Sequence, residues 1–131
     1  MSIPNILVAE DDDVLRDVYV KKFSLAGFKL RTVKNGAEAI QEIEREKPEL
    51  LILDLNMPVL DGFAVLEKFP KGQRDFPIII LSNFGDAKNK ERGVQLGADD
   101  FFIKSEMTIK TLLEKVNTLM KAKEMWQQPQ Q

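Results

Sequence analysis

A chain of 131 residues, 44% of them hydrophobic, has the length of about one domain at ~100 to 200 residues each and enough apolar mass for a single core. Lys and Arg number 19 against 21 Asp and Glu, and the resulting formal net charge of −2 offers no general attraction to nucleic acid or to an anionic membrane. The chain has no Cys and no His, which excludes disulfides, thiolate zinc sites, thiol nucleophiles and every mechanism that needs an imidazole of its own, so its chemistry must run on carboxylates, hydroxyls and Lys, with room for a hard metal.

In chain order, Ile6 to Ala9 is a continuous apolar run that fits a strand covered on both faces. Asp12 and Asp13 can cap the helix that follows, in which Val14, Leu15, Val18, Tyr19 and Phe23 keep helical spacing until Gly27 stops it. Phe28 to Val33 is a weaker strand pattern. Asn35 with Glu38 three residues on resembles a capping box, and the helix it opens turns Ala39, Ile40 and Ile43 inward before Pro48 forbids continuation. Leu50 to Leu53 forms the third strand, Asp61 caps a third helix carrying Phe63, Leu66 and Phe69, and Ile78 to Leu81 is the fourth strand. Asp86 opens a fourth helix that ends near Gly97, with a thin apolar stripe of Ala87, Val94 and Leu96. After a short strand at Phe101 to Ile103, the fifth helix sets Ile109, Leu112, Leu113, Val116, Leu119 and Met120 along one face.

Strand and helix alternate five times, which predicts a parallel sheet with helices on both faces, joined by right-handed crossovers. A ligand is then expected in the crevice at the carboxyl ends of the strands. The N-terminus lacks a basic segment followed by an apolar stretch, and no run approaches ~20 apolar residues, so the expectation is a soluble, unexported, cytoplasmic protein. The last residues, Gln127 to Gln131, read as a frayed end.

The residues just past the strands carry the functional signal. They are Glu10, Asp11, Asp12 and Asp13 after the first, Asp54 after the third, Ser82 after the fourth and Lys104 after the fifth. An acidic run at a helix start is commonly a solvated cap, and a lone Ser or Lys at a strand end signifies little. Asp54, however, ends a buried apolar run where another aliphatic residue or a turn is expected, and the four positions converge on one rim. Carboxylates a few ångströms apart repel by roughly 1 to 4 kcal/mol per pair, so a cation is needed among them. Oxygen-only ligation open to water suits Mg2+ or Mn2+ better than zinc. A metal, a carboxylate, a Lys and a hydroxyl are the parts that stabilise a phosphoryl group in transfer.

These residues resemble the receiver domain of two-component response regulators, of the chemotaxis-regulator type. Asp54-Leu55-Asn56-Met57-Pro58-Val59-Leu60-Asp61-Gly62 matches the family's D-x-x-M-P-x-x-D-G, Ile6 to Asp12 its first strand and acidic pair, and Pro77 to Ser82 and Gly97 to Lys104 its later blocks. The likeness runs from Asn5 to Met120.

The resemblance implies a (βα)5 flavodoxin-like sandwich with strand order 2-1-3-4-5. It makes Asp54 the acceptor of a phosphoryl group from a partner histidine kinase or histidine phosphotransfer protein, so the missing histidine is supplied by another molecule. Glu10, Asp11, Asp54 and the backbone carbonyl of Asn56 would hold Mg2+ (or Mn2+). Lys104 would pair with Asp54 and then with the phosphoryl oxygens, Ser82 would donate a hydrogen bond to the phosphoryl group, and Phe101, at the switch-aromatic position, would rotate into the space that Ser82 vacates. The changed surface, made of the fourth helix, fifth strand and fifth helix, would act on a downstream protein, the chain being a monomer or a weak phosphorylation-dependent dimer with no direct nucleic-acid or membrane contact.

The receiver is expected over residues 1–124, standing alone, with 125–131 as a tail and no effector domain. Four positions depart from the family pattern: Glu10 replaces the commoner Asp, Asn83 a small residue, Phe101 the common Tyr, and Ser105 a Pro whose absence raises the cost of a cis peptide from ~0.5–1 to ~3 kcal/mol.

Three rival readings exist. Asp11-Asp12-Asp13 also resembles the nucleophile motif of haloacid-dehalogenase-type phosphatases, with Asp11 as nucleophile, but Lys104 stands where that family needs further carboxylates. A flavin-binding flavodoxin-like domain would need hydroxyl and Gly donors, rather than four acids, after the first strand. A phosphate-independent receiver-like binding module would lack one of the core residue types, and all are present.

Overall fold

The continuous apolar runs form the middle of a five-stranded parallel sheet of order β2-β1-β3-β4-β5. The structure is a computed structural model and describes residues 4–83 and 87–127. Its elements are β1 (Asn5–Ala9), α1 (Asp13–Leu25), β2 (Lys29–Val33), α2 (Gly36–Arg45), β3 (Leu50–Asp54), α3 (Gly62–Lys68), a 3-10 turn (Lys71–Gln73), β4 (Ile78–Ser82), α4 (Ala87–Gln95), β5 (Asp100–Ile103), a second 3-10 turn (Lys104–Glu106) and α5 (Ile109–Gln127). The expected doubly wound α/β fold is therefore the observed one. Asp86 as cap of the fourth helix, and Gln128 to Gln131 of the expected frayed end, lie outside the described residues.

Period-two alternation divides the core in two. Leu7, Leu51, Leu53, Ile78 and Ile80 face one side with Ala39, Ile43, Phe63 and Leu66 of the helices. Ile6, Val8, Leu50, Ile52, Ile79 and Leu81 face the other with Tyr19, Phe23, Leu112, Val116 and Met120. Both faces are covered, so no position in these strands needs to be polar, and the runs read as unbroken. Leu50 to Leu53 and Ile78 to Leu81 are at most 2% exposed. Full burial of one such side chain stabilises the fold by roughly 1.5–3 kcal/mol.

The predicted caps form. Asp12 accepts from the Leu15 amide at 3.0 Å, Asn35 from Glu38 at 2.8 Å and Asp61 from Ala64 at 3.0 Å, each bond being worth about 1 kcal/mol. The reciprocal bond of the capping box shifts by one residue, because the Glu38 carboxylate accepts from the Lys34 amide at 3.1 Å. Gly27 ends α1 with φ of 91°, a left-handed conformation that costs an L side chain energy and a glycine none.

Two expectations about helix faces are corrected. Val14 is 71% exposed, since α1 turns Leu15, Tyr19 and Phe23 to the sheet and leaves Val14 on its outer side. Val94 of the fourth helix's expected stripe is 55% exposed, because the residue that α4 presents to the core is its neighbour Gly93. Leu96, just past the helix, packs against the core as expected, and the side chain of Ala87 lies outside the described residues.

Candidate functional site

Three strand ends place three charged groups at one rim. Glu10 follows β1, and its amide donates to the Val33 carbonyl at 3.0 Å, which extends the β1–β2 ladder by one bond. Asp54 is the last residue of β3 and is 2% exposed. Lys104 follows β5, and its ammonium donates to Glu10 Oε1 at 2.5 Å and to Asp54 Oδ2 at 3.1 Å. The groups that meet here are 94 and 50 residues apart in sequence, and parallel register alone brings them together. Ser82 is fully buried at the end of β4, one position beyond Leu81, the partner of Asp54, and opposite Ile103.

The loop after β3 is folded tightly back on its strand. The Asn56 amide donates to Asp54 Oδ1 at 3.2 Å, which sets the carboxylate's orientation. The Gly62 amide donates to the Leu55 carbonyl at 3.0 Å, and a Cβ on Gly62 would stand 2.6 Å from the Asp54 carbonyl oxygen. The D-G pair thus has a physical reason: Asp61 caps α3, and Gly62 lets that helix start against the backbone of Asp54. Between them Val59 has φ of 70°, in a three-residue turn closed by the Leu60 amide on the Pro58 carbonyl at 2.8 Å.

Glu10, Asp11 and Asp54 each offer a carboxylate oxygen, all within 4.8 Å of one another. Asp11 is exposed while the other two are buried, so the cluster opens to solvent on one side. Burial pushes the Glu10 carboxyl up to about 7, and the charge of Asp54 acts the same way against the bond from Lys104. Burial alone would lower the Lys104 ammonium, yet the bond from Glu10 and the charges of Asp54 and Glu10 hold it above its ordinary value. One ammonium facing two buried carboxylates and a third nearby leaves an excess of negative charge. Oxygen donors only, with one open side, are the ligand set of Mg2+ or Mn2+ rather than of zinc.

Sequence reasoning missed Arg16, whose guanidinium donates to the Glu10 carbonyl at 2.8 Å while pairing with Asp13, and so braces the acidic loop from α1. Its only signal is a cation three residues after an acid at a helix start. Asn83 is exposed beside Ser82. The Lys104–Ser105 peptide is trans, as are all peptides among the described residues, and Lys104 opens a 3-10 turn. The Phe101 ring lies inside, 7% exposed and part of the core beneath α4. A phenyl ring without a hydroxyl has no polar group to hold it toward water.

A model of the response regulator receiver domain matches residues 6–117, and the chain belongs to that family, the signalling module of two-component systems. It is a signalling switch rather than an enzyme in the ordinary sense. The probable transcriptional regulator ycf27 of Porphyridium aerugineum is 34% identical over 123 residues, covering 89% of this chain and 51% of its own length. The transcriptional regulatory protein PrrA of Mycobacterium leprae is 31% identical over 121 residues, covering 92% and 52%. The chain thus spans about half the length of these curated relatives. Among solved structures, the receiver domain of Francisella response regulator 1452 superposes with a TM-score of 0.84 at 33% identity, covering 91% of this chain and 98% of the other. A CheY-like receiver domain protein from Methanospirillum hungatei shares the fold with a TM-score of 0.88 at 24% identity, over 95% and 98%. Among the described residues no helix is long and apolar enough to cross a membrane.

Proposed function

We propose that this receiver is switched by phosphorylation of Asp54. The observation that carries the reading is the Lys104 ammonium held between the buried carboxylates of Glu10 and Asp54. Asp54 attacks the phosphorus of a phosphohistidine on a partner kinase or phosphotransfer protein. The new O–P bond forms as the P–N bond breaks, and the electron pair leaves with the imidazole. Glu10, Asp11, Asp54 and the Asn56 carbonyl would hold Mg2+, or Mn2+, which when bound supplies positive charge for the oxygens of the transferring group. The Lys104 ammonium is already within reach of Asp54 and follows the charge onto the phosphoryl oxygens. Ser82, one register position away, supplies a hydroxyl donor to the same group.

Phosphate adds charge beside β4 and α4, and the response is a shift in population of the surface formed by α4, β5 and α5, which acts on a protein partner in the cytoplasm. The receiver works over residues 1–124 as a monomer or as a weak phosphorylation-dependent dimer. An acyl phosphate at Asp11 is disfavoured, because Asp11 is exposed while the buried acid bonded to Lys104 at the end of β3 is Asp54.

The test is incubation with Mg2+ and acetyl phosphate followed by mass measurement. One phosphate adduct is expected, absent in Asp54→Ala and retained in a Ser82→Ala variant at reduced yield. Uptake or phosphatase activity that survives Asp54→Ala but is lost in Asp11→Ala would reverse the assignment.

A further inference from the structure

α4 is an unusual helix to find on a core. Of its described residues, Lys88, Lys90, Glu91, Arg92, Val94 and Gln95 are exposed, Asn89 is half-buried and only Gly93 is buried. A helix normally binds a sheet through an apolar stripe, yet here the contact residue has no side chain. A Cβ built on Gly93 would stand 2.9 Å from the Ile80 terminal methyl and 3.4 Å from the Phe101 ring. The backbone of α4 therefore lies directly on β4 and β5, over Ile80, which is 0% exposed, and over the buried ring of Phe101.

Further ties lie at the flanks. The Arg92 guanidinium stacks on Phe63 at 4.1 Å from the ring centroid, and Arg74 donates to the Gly97 carbonyl at 2.5 Å just past the helix.

We propose that Gly93 is the positioning residue of the switch surface: its bare backbone seats α4 on Ile80 and presets Phe101 in its buried place. Two consequences follow from the geometry. Any side chain at this position must lift α4 or displace the fully enclosed Ile80 methyl, and would come into contact with the Phe101 ring beside it. The seat is also easily disturbed, because the residue that α4 buries at its centre brings no side chain to interlock with the sheet. The seat itself is independent of phosphorylation, while its bearing on signalling rests on the Asp54 reading above.

The test exploits a sign. Gly→Ala in a helix at ordinary φ stabilises, since Ala is the better helix former and restricts the unfolded chain. Here Gly93→Ala is expected to lower the urea midpoint of the metal-free protein and to shift the Phe101 ring resonances. In the I80V background, which removes the obstructing methyl, the same change is expected to raise the midpoint and to return the Phe101 resonances toward those of I80V alone. A rise in both backgrounds with Phe101 unmoved would overturn the seat, as would an equal fall in both.

The link to signalling is read with beryllofluoride and Mg2+. Gly93→Ala is expected to bind beryllofluoride tighter by about fivefold or more, because a looser α4 costs less to shift, and the added I80V is expected to reverse the gain. Unchanged or weaker binding would overturn that link. A wild-type protein that binds no beryllofluoride would instead refute the Asp54 reading and leave the seat standing.

Discussion

The two ends of the sheet each bury a cation against carboxylate, and they do so differently. At the amino ends of the strands, Arg74 is 2% exposed and its guanidinium makes four hydrogen bonds: it donates to the carbonyls of Phe69, Phe76 and Gly97 at 2.8, 2.9 and 2.5 Å and to Asp99 Oδ2 at 2.8 Å. Asp99 accepts in turn from the Ile78 amide at 2.8 Å, and Lys71 approaches at 3.5 Å. At the carboxyl ends, Lys104 stands alone against Glu10 and Asp54 with Asp11 nearby. The first arrangement leaves its carboxylate fully matched by cations and its buried guanidinium rich in hydrogen bonds, as a structural ion pair must be to offset its desolvation. The second leaves charge unmatched, which a folding optimum would remove and a ligand site retains.

The sharpest way to break this contrast is to truncate both ends. Arg74→Ala strands Asp99 and three carbonyls in a partly buried place and is expected to cost about 3 kcal/mol in urea denaturation. Asp54→Asn removes one of two acids competing for a single ammonium, so its effect is expected within about 1 kcal/mol of zero or on the stabilising side, while phosphorylation is lost. Equal losses at the two ends would show that the rim is an ordinary structural pair.

Next in size is Lys104→Ala. Without the ammonium, Glu10 and Asp54 face each other in a buried setting, and thermal stability without divalent ions is expected to fall by about 2 kcal/mol. Millimolar Mg2+ is expected to restore most of that loss and to raise the melting temperature of this variant more than that of the wild type, since a ligand stabilises in proportion to its preference for the folded state. A variant that melts identically with and without Mg2+ would remove the carboxylate cluster as a cation site.

A smaller difference concerns backbone strain. The rim loop holds Val59, a β-branched residue that is 77% exposed, at φ of 70°. Exposure leaves little packing to lose, and glycine tolerates this φ, so Val59→Gly is expected to stabilise by about 1 kcal/mol in spite of its entropy in the unfolded chain. A loss of stability on the same substitution would mean that the valine's own contacts hold the turn.

The sequence made most of this legible where the physics is local or strongly patterned. Strands covered on both faces are apolar throughout, helix caps are read within four residues, and Asp54 stands out because it interrupts a run of aliphatic residues. What stayed hidden depends on distance or on the absence of a side chain. The hydrogen bonds of Arg74 reach Gly97 and Asp99, 23 and 25 residues away, and nothing near Arg74 marks it as buried. The contact of Lys104 with Glu10 follows from sheet register. Hydropathy assigned α4's inner face to Val94 because a glycine carries no hydropathic signal, although its bareness makes the contact. Phe101 was legible as a position, but its buried starting place depends on what α4 brings above it.

The finest test concerns an ion pair that is not deeply buried. Beside β2, Glu42 receives Arg31 at 2.6 Å and also pairs with Arg45, and these two bonds, that of Arg45 foremost, bring its carboxyl from the usual 4.5 down to about 2. A depressed carboxyl stabilises the fold above its unfolded value and ceases to do so as the pH falls through its folded value. Glu42→Gln is therefore expected to lower the urea midpoint slightly at pH 7, with the gap from wild type narrowing below pH 4.5 and closing near pH 2. Because water screens this pair, the gap at pH 7 should be far smaller than that of Arg74→Ala. A gap of equal size, or one that widens in acid, would show that burial and rich hydrogen bonding are not what set the Arg74 end apart.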